Sequence, residues 1–227
     1  LDFYNGTPGV VLFYANLWHA TGDPLWRDRA QLGGEYLVAE SRRRGDALDA
    51  GLYTGLAGLA ATYMALAATK VGPGWDAIAR QAVKDLAARA KTVGDGVEWS
   101  DANDIIGGTA GTGLLLLDAA ARWKDPSLVD LASKAGRRLL ATARADSGGL
   151  MWFPSASLPR NYPNFAHGTA GVAYFLATLH QRTNERAFLN GALSGAIYLD
   201  AIATRRSGAR AIFHQSGGGE NRVDQAG

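Results

Sequence analysis

Apolar residues recur three and four positions apart along most of this chain, in two kinds of segment that alternate. One kind carries charges between its apolar positions, as in Leu128, Leu131, Ala135 and Leu139, and predicts a helix with one wet face. Such segments start at Gly22, Gly72, Lys124 and Asn184; Pro24 and Pro126 stand just inside two of the starts, where a helix accepts proline. The other kind, such as Gly111 to Ala121 and Gly171 to Leu179, is almost uncharged around its circumference and predicts a buried helix. Strand-like fragments fall at 96–100, 149–155 and 209–215, where Trp99, Trp152 and Phe153 alternate with small or polar neighbours as hairpin residues do.

Each uncharged segment opens on the same block. The four copies are DFYNGTPG from Asp2, GLYTGLAG from Gly51, DIIGGTAG from Asp104 and NFAHGTAG from Asn164. Their second glycines, Gly9, Gly58, Gly111 and Gly171, are 49, 53 and 60 residues apart, which leaves room for two helices and a connection. The predicted unit is an inner buried helix paired with an outer amphipathic one, four times over, in an all-α fold with short β-hairpin-like loops. An open solenoid and a closed ring of inner helices both suit such a unit. The glycines favour the ring, because small residues at the inner helix starts let neighbouring backbones approach. All inner helices then share one polarity, and their N-termini, with unpaired amides and partial positive charge, gather at one rim.

Composition narrows the function classes. The 227 residues carry a net charge of +2 that is scattered rather than clustered, which gives no reason to expect nucleic acid. The one tight basic group, Arg42 to Arg44, ends a helical segment and complements its C-terminus. No apolar stretch is long enough to span a bilayer and no signal peptide opens the chain, so a cytoplasmic location is expected. The absence of cysteine excludes disulfides and thiolate metal ligands from this chain. The chain begins at Leu1, directly on a repeat, and ends where a fifth block is due, so a single domain over 1–227 that is incomplete at both ends is expected.

Aligning the blocks isolates two positions that face the rim. The residue before the first glycine is Asn5, Thr54, Gly107 or His167; the residue four before it is Asp2, Gly51, Asp104 or Asn164. His167 and Asp104 are titratable groups on adjacent repeats, suited to relaying a proton and to orienting the group that relays it. Asn5, Thr54 and Asn164 are candidate substrate contacts. Equally open is a reading in which His167 braces its loop and Asp104 accepts amides at its own helix start. His19 and His180 lie near the ends of inner helices, where structural roles are expected, and His214 has no assignment. Paired carboxylates within EWSDAND, Glu98 with Asp101 or Asp101 with Asp104, would suit glycoside chemistry, although solvated loop carboxylates explain them as well. GTAGTG at 108–113 lacks the preceding strand of a dinucleotide fingerprint.

The blocks NDIIGGTAG and NFAHGTAGVA resemble those of the lanthionine synthetase C-like family, and the resemblance runs through all four repeats. It implies an α/α toroid of seven inner and seven outer helices, of which about four hairpins would be present. It implies an activity as well: addition of a peptide cysteine thiol to dehydroalanine or dehydrobutyrine, with His167 as proton donor to the enolate and Asp104 as its acidic partner. The implied partners are a dehydrated precursor peptide and a kinase-like or dehydratase domain or protein. The family's zinc, held by two cysteines and a histidine in later blocks, has no ligand set here, so zinc is expected only in repeats beyond residue 227. A carbohydrate-active helix-pair barrel and a non-catalytic peptide scaffold are the alternatives.

Overall fold

All four glycine blocks begin a helix, and the first glycine of each, Gly6, Gly55, Gly108 or Gly168, is its N-cap. The computed structural model describes residues 1–158, 160–206, 209–217 and 220–223. These fall into two compact units, Leu1–Arg89 and Ala90–Gly227. The first holds α1 (Thr7–Thr21), α2 (Pro24–Arg44), a 3-10 turn (Gly45–Ala47), α3 (Leu56–Ala68) and α4 (Trp75–Ala88). The second holds β1 (Lys91–Val93), β2 (Gly96–Glu98), α5 (Thr109–Trp123), α6 (Pro126–Thr142), β3 (Arg144–Asp146), β4 (Gly149–Met151), α7 (Thr169–Thr183) and α8 (Arg186–Ile202). Strands β5 (Thr204–Arg206), β6 (Ala209–Ala211), β7 (Gln215–Gly217) and β8 (Glu220–Val223) follow, and consecutive strands pair in two-stranded antiparallel sheets. The all-α class with short hairpins is the one the periodicity predicts.

Each inner helix stops at a left-handed residue and turns into its outer partner. Gly22, Lys124 and Asn184 cap α1, α5 and α7 at φ 68, 53 and 58, and Lys70 takes φ 55 just after α3. Asp23 and Asp125 then cap the outer helices, each carboxylate accepting the amide two residues on at 2.9 Å, with proline inside the helix start. At the far end of α2, Arg43 and Arg44 both bond Glu40, at 2.5–3.1 Å. The basic cluster therefore works through a carboxylate as well as through the helix terminus.

The hairpins pack through glycine on the outer helix that follows them. Gly96 of β2 lies on α6, where a Cβ would come 2.7 Å from the Arg138 backbone nitrogen; Gly149 of β4 lies on α8, where it would come 2.3 Å from the Ser194 carbonyl. These are the fragments legible as strands. Their partners β1 and β3 are exposed throughout and carry no apolar alternation, so the sequence pattern reveals only the strand that packs. The third fragment is strand at Ala209–Ala211 and again at Gln215, where β7 begins, with 212–214 between them outside strand. Trp152 joins the second unit together: wholly buried, it donates from Nε1 to the Leu139 carbonyl of α6, while its amide donates to Thr169 Oγ1 of α7.

Helices α3 and α5 are buried on most sides, as their uncharged circumference predicts. Helix α7 differs, because Tyr174 is 53% exposed and meets half-exposed Phe165 edge-on at 5.4 Å. In α1 likewise, Val10 and Phe13 are exposed. An uncharged circumference is thus a necessary mark of a buried helix and not a sufficient one.

The same contact joins the two repeats within each unit. The Phe3 amide donates to the Tyr53 carbonyl at 2.8 Å, and the Ile105 amide to the Ala166 carbonyl at 3.1 Å. The side chains of these two donors sit on the second glycine of the next block. A Cβ on Gly58 would meet the Phe3 ring at 2.8 Å, and one on Gly171 would meet Ile105 Cγ1 at 2.5 Å. Closer still is a carbonyl of the repeat's own loop, Leu52 O at 2.4 Å from a Cβ on Gly58 and Phe165 O at 2.1 Å from one on Gly171, so glycine is required there by its own loop backbone first and by the neighbour's side chain second.

Gly58→Ala and Gly171→Ala should each lower stability by about 1–3 kcal/mol through overpacking, read as a lower urea midpoint with an unchanged slope. A second outcome concerns acid. Hydrogen bonds from Arg43 and Arg44 hold the Glu40 carboxyl down from 4.5 to about 2. A depressed folded value stabilises above the unfolded one and fades below it. The stability gap between wild type and Glu40→Gln should therefore be largest above pH 4.5 and close toward pH 2, as followed by urea titrations across that window.

Candidate functional site

The loop ahead of each inner helix is built by its fourth residue before the N-cap. Asp2 Oδ1 accepts the Asn5 amide at 2.7 Å, Asp104 Oδ1 the Gly107 amide at 2.9 Å, and Asn164 Oδ1 the His167 amide at 2.9 Å. The backbone carbonyl at this position bonds the N-cap amide four residues on in two repeats, Gly51 O to Gly55 at 2.9 Å and Asn164 O to Gly168 at 3.2 Å. Asp and Asn at this position thus add a side-chain acceptor for the amide three residues on, which glycine cannot supply.

The loop then folds back over the helix. Amides of Thr109, Ala110 and Gly111 donate to the carbonyls of Ala102, Asn103 and Asp104, each seven residues earlier. Leu56 and Ala57 repeat this with Asp49 and Ala50, and Ala170 with Pro163. The inner helix starts thus do not offer a rim of unpaired amides; in these three repeats the preceding loop takes them up. The first glycine follows from this overlap, since a Cβ on Gly55, Gly108 or Gly168 would lie 1.9, 2.4 or 1.6 Å from loop backbone atoms. The segment GTAGTG is this N-cap and first helical turn, not a phosphate loop.

With one oxygen of Asp104 holding its own loop, the other crosses to the next repeat. Asp104 Oδ2 lies 2.9 Å from His167 Nδ1. The Asp104 side chain is only 9% exposed, whereas that of His167 is 45% exposed. The pair is therefore anchored at the carboxylate and open at the imidazole. Asp104 is pinned on both sides: the Asn103 amide donates to the Pro154 carbonyl and its Nδ2 to the Phe153 carbonyl, and Ile105 bonds Ala166. An ionised carboxylate can only accept, which places the imidazole proton on Nδ1 and leaves Nε2 with its lone pair. Among the described residues Nε2 makes no hydrogen bond.

The second unit thus brings together three of the predicted residues, Asp104, Asn164 and His167. Asn5 and Thr54 hold the matching positions in the first unit, and both are exposed. His180 donates from Nδ1 to the Glu185 carbonyl at 3.1 Å, a structural contact, and His19 lies in the last turn of α1. The carboxylates of EWSDAND have separate partners: Glu98 pairs with Arg138 at 2.5 Å, Asp101 accepts the Ser157 amide at 3.2 Å, and Asp104 holds His167. Two further residues were not legible. Tyr162 meets the His167 ring edge-on with centroids 5.9 Å apart, and His214 meets Tyr162 at 5.8 Å. The aromatic and polar residues after the strand at 149–151 were the available signal for Tyr162. No local pattern brings His214 to it.

A model of the lanthionine synthetase C-like proteins matches residues 1–200. The chain belongs to the lanthionine synthetase C-like family. No curated protein matches the chain. Asp104 and His167 both lie inside the part that matches the family, and His214 lies outside it. A zinc centre of the kind the family implies does not fit the residues present. The chain has no cysteine, and among the described residues no three His, Asp or Glu side chains gather as a metal cluster. Nor, among those residues, is any helix long and apolar enough to cross a membrane.

The two oxygens of Asp104 can be separated by substitution. Asp104→Asn keeps an acceptor for Gly107 but presents an amide to His167, so the imidazole proton should move to Nε2, visible in the ring nitrogen shifts by NMR. Asp104→Ala should in addition lower stability by about 1–3 kcal/mol, because it leaves the Gly107 amide without its partner. Comparing the melting of the two variants separates the loop function from the contact with His167.

Proposed function

We propose that this lanthionine synthetase C-like protein forms thioether rings in a dehydrated peptide, with His167 delivering the proton that completes each addition. The observation that carries the reading is the 2.9 Å contact between Asp104 Oδ2 and His167 Nδ1, which fixes the imidazole and leaves Nε2 for substrate. A cysteine thiol of the peptide gives its proton to the Nε2 lone pair of His167, making the imidazolium, and the sulfur bonds to Cβ of dehydroalanine or dehydrobutyrine. The double-bond electrons move onto the carbonyl as an enolate, and Cα then takes a proton. An imidazolium N–H beside that carbon supplies it, and the Asp104 carboxylate holds the ring aimed while the charge changes.

No step is routed through zinc, for which these residues offer no ligand set. Dehydration of serine and threonine must precede the reaction, which is the place for a kinase-like or dehydratase partner. Asn5, Thr54 and Asn164, whose Nδ2 has no hydrogen-bond partner among the described residues, are assigned to peptide contacts beside the inner helix starts. A carbohydrate-active role draws no support from carboxylates that are each engaged elsewhere.

In the complete protein, His167→Ala should reduce ring formation by about 10²- to 10⁴-fold, the usual worth of a general acid. Peptide binding and circular dichroism should be unchanged. Mass spectrometry after alkylation of free thiols counts the rings, and an undiminished yield would remove His167 from the chemistry and favour a non-catalytic scaffold.

A further inference from the structure

The segment ahead of α7 fixes one partly buried aromatic side chain between two anchors. Asn161, itself buried, donates from Nδ2 to the Tyr198 hydroxyl on α8, and the Pro163 carbonyl accepts the Ala170 amide of α7 at 3.2 Å. Tyr162 stands between them with its carbonyl against Gly168, the N-cap next to His167. Its ring lies edge-on to His167 at an interplanar angle of 61° and to His214 at 82°. His214 is placed independently, because Phe213 before it is buried in a cluster with Met151, Tyr198 and Ile202. Tyr198 thus holds both Asn161, next to Tyr162, and Phe213, next to His214.

This row does not serve the core. Tyr162, His167 and His214 are all partly exposed, whereas the residues that fix them, Asn161, Pro163, Gly168 and Phe213, are buried. Buried groups here hold a surface arrangement of three rings. A single contact at Nδ1 leaves an imidazole free to swing about the bond it makes, and a proton donor must be aimed as well as held. The Tyr162 edge removes that freedom on one side, and His214 holds Tyr162 from the other.

We infer that Tyr162 is a positioning residue for His167 and that His214, from the segment after β6, supports it in that place. The inference rests on the proposed role of His167 and adds to the site a segment that lies outside the residues matched to the family.

The test is steady-state cyclisation by the complete protein of a dehydrated, cysteine-containing peptide. Tyr162→Leu should lower kcat by about 3- to 10-fold, the size of one edge-to-face contact, with KM unchanged. Tyr162→Phe, which keeps the ring, should restore kcat, and His214→Leu should lower it in the same direction. Wild-type kcat in Tyr162→Leu would overturn the inference, as would an equal loss in Tyr162→Phe. Should Tyr162→Leu not fold, His214→Leu decides by the same separation of kcat from KM. Activity surviving in His167→Ala would overturn the reading beneath; an inactive His167→Ala beside a fully active Tyr162→Leu would overturn this inference alone.

Discussion

The architecture of the second, third and fourth repeats depends on a loop folded back over the helix it precedes. Carbonyls seven residues upstream take the first amides of the inner helix, which brings the two backbones so close that the N-cap residue has no room for a Cβ. Buried helix ends need such partners, since an unpaired amide away from water is costly. The glycine block follows from this one constraint. Its first glycine admits the chain's own loop, and its second, at Gly58 and Gly171, admits both that loop and the side chain of the repeat before.

The candidate site exploits that frame without altering it. Position four before the N-cap supplies a side-chain acceptor for the amide three residues on where it is Asp or Asn. Only aspartate has a second strong acceptor to spare. At Asp104 that oxygen reaches a neighbouring loop already brought alongside by the bond from Ile105 to Ala166, and it meets a histidine there. A structural requirement of one repeat and a variable position of the next therefore combine into a titratable pair.

Much of this was legible because it is periodic. The helix pairs, the block starts and the two residues of the pair all follow from aligning four copies of one pattern. What could not be read falls into three kinds. The loop hydrogen bonds that take up the helix amides are backbone events that leave no residue preference except glycine. Strands β1 and β3 are exposed, so no alternation marks them. Tyr162 and His214 lie 52 positions apart and meet only because Asn161 and Phe213 are both tied to α8 around Tyr198. Tertiary coincidences of that sort have no local trace.

Asp104 closes its own loop with one oxygen and orients the histidine with the other. A chain in which the third loop has not closed cannot assemble the pair. The contact is therefore conditional on local folding: a newly made or partly melted molecule that has not closed this loop does not hold the imidazole.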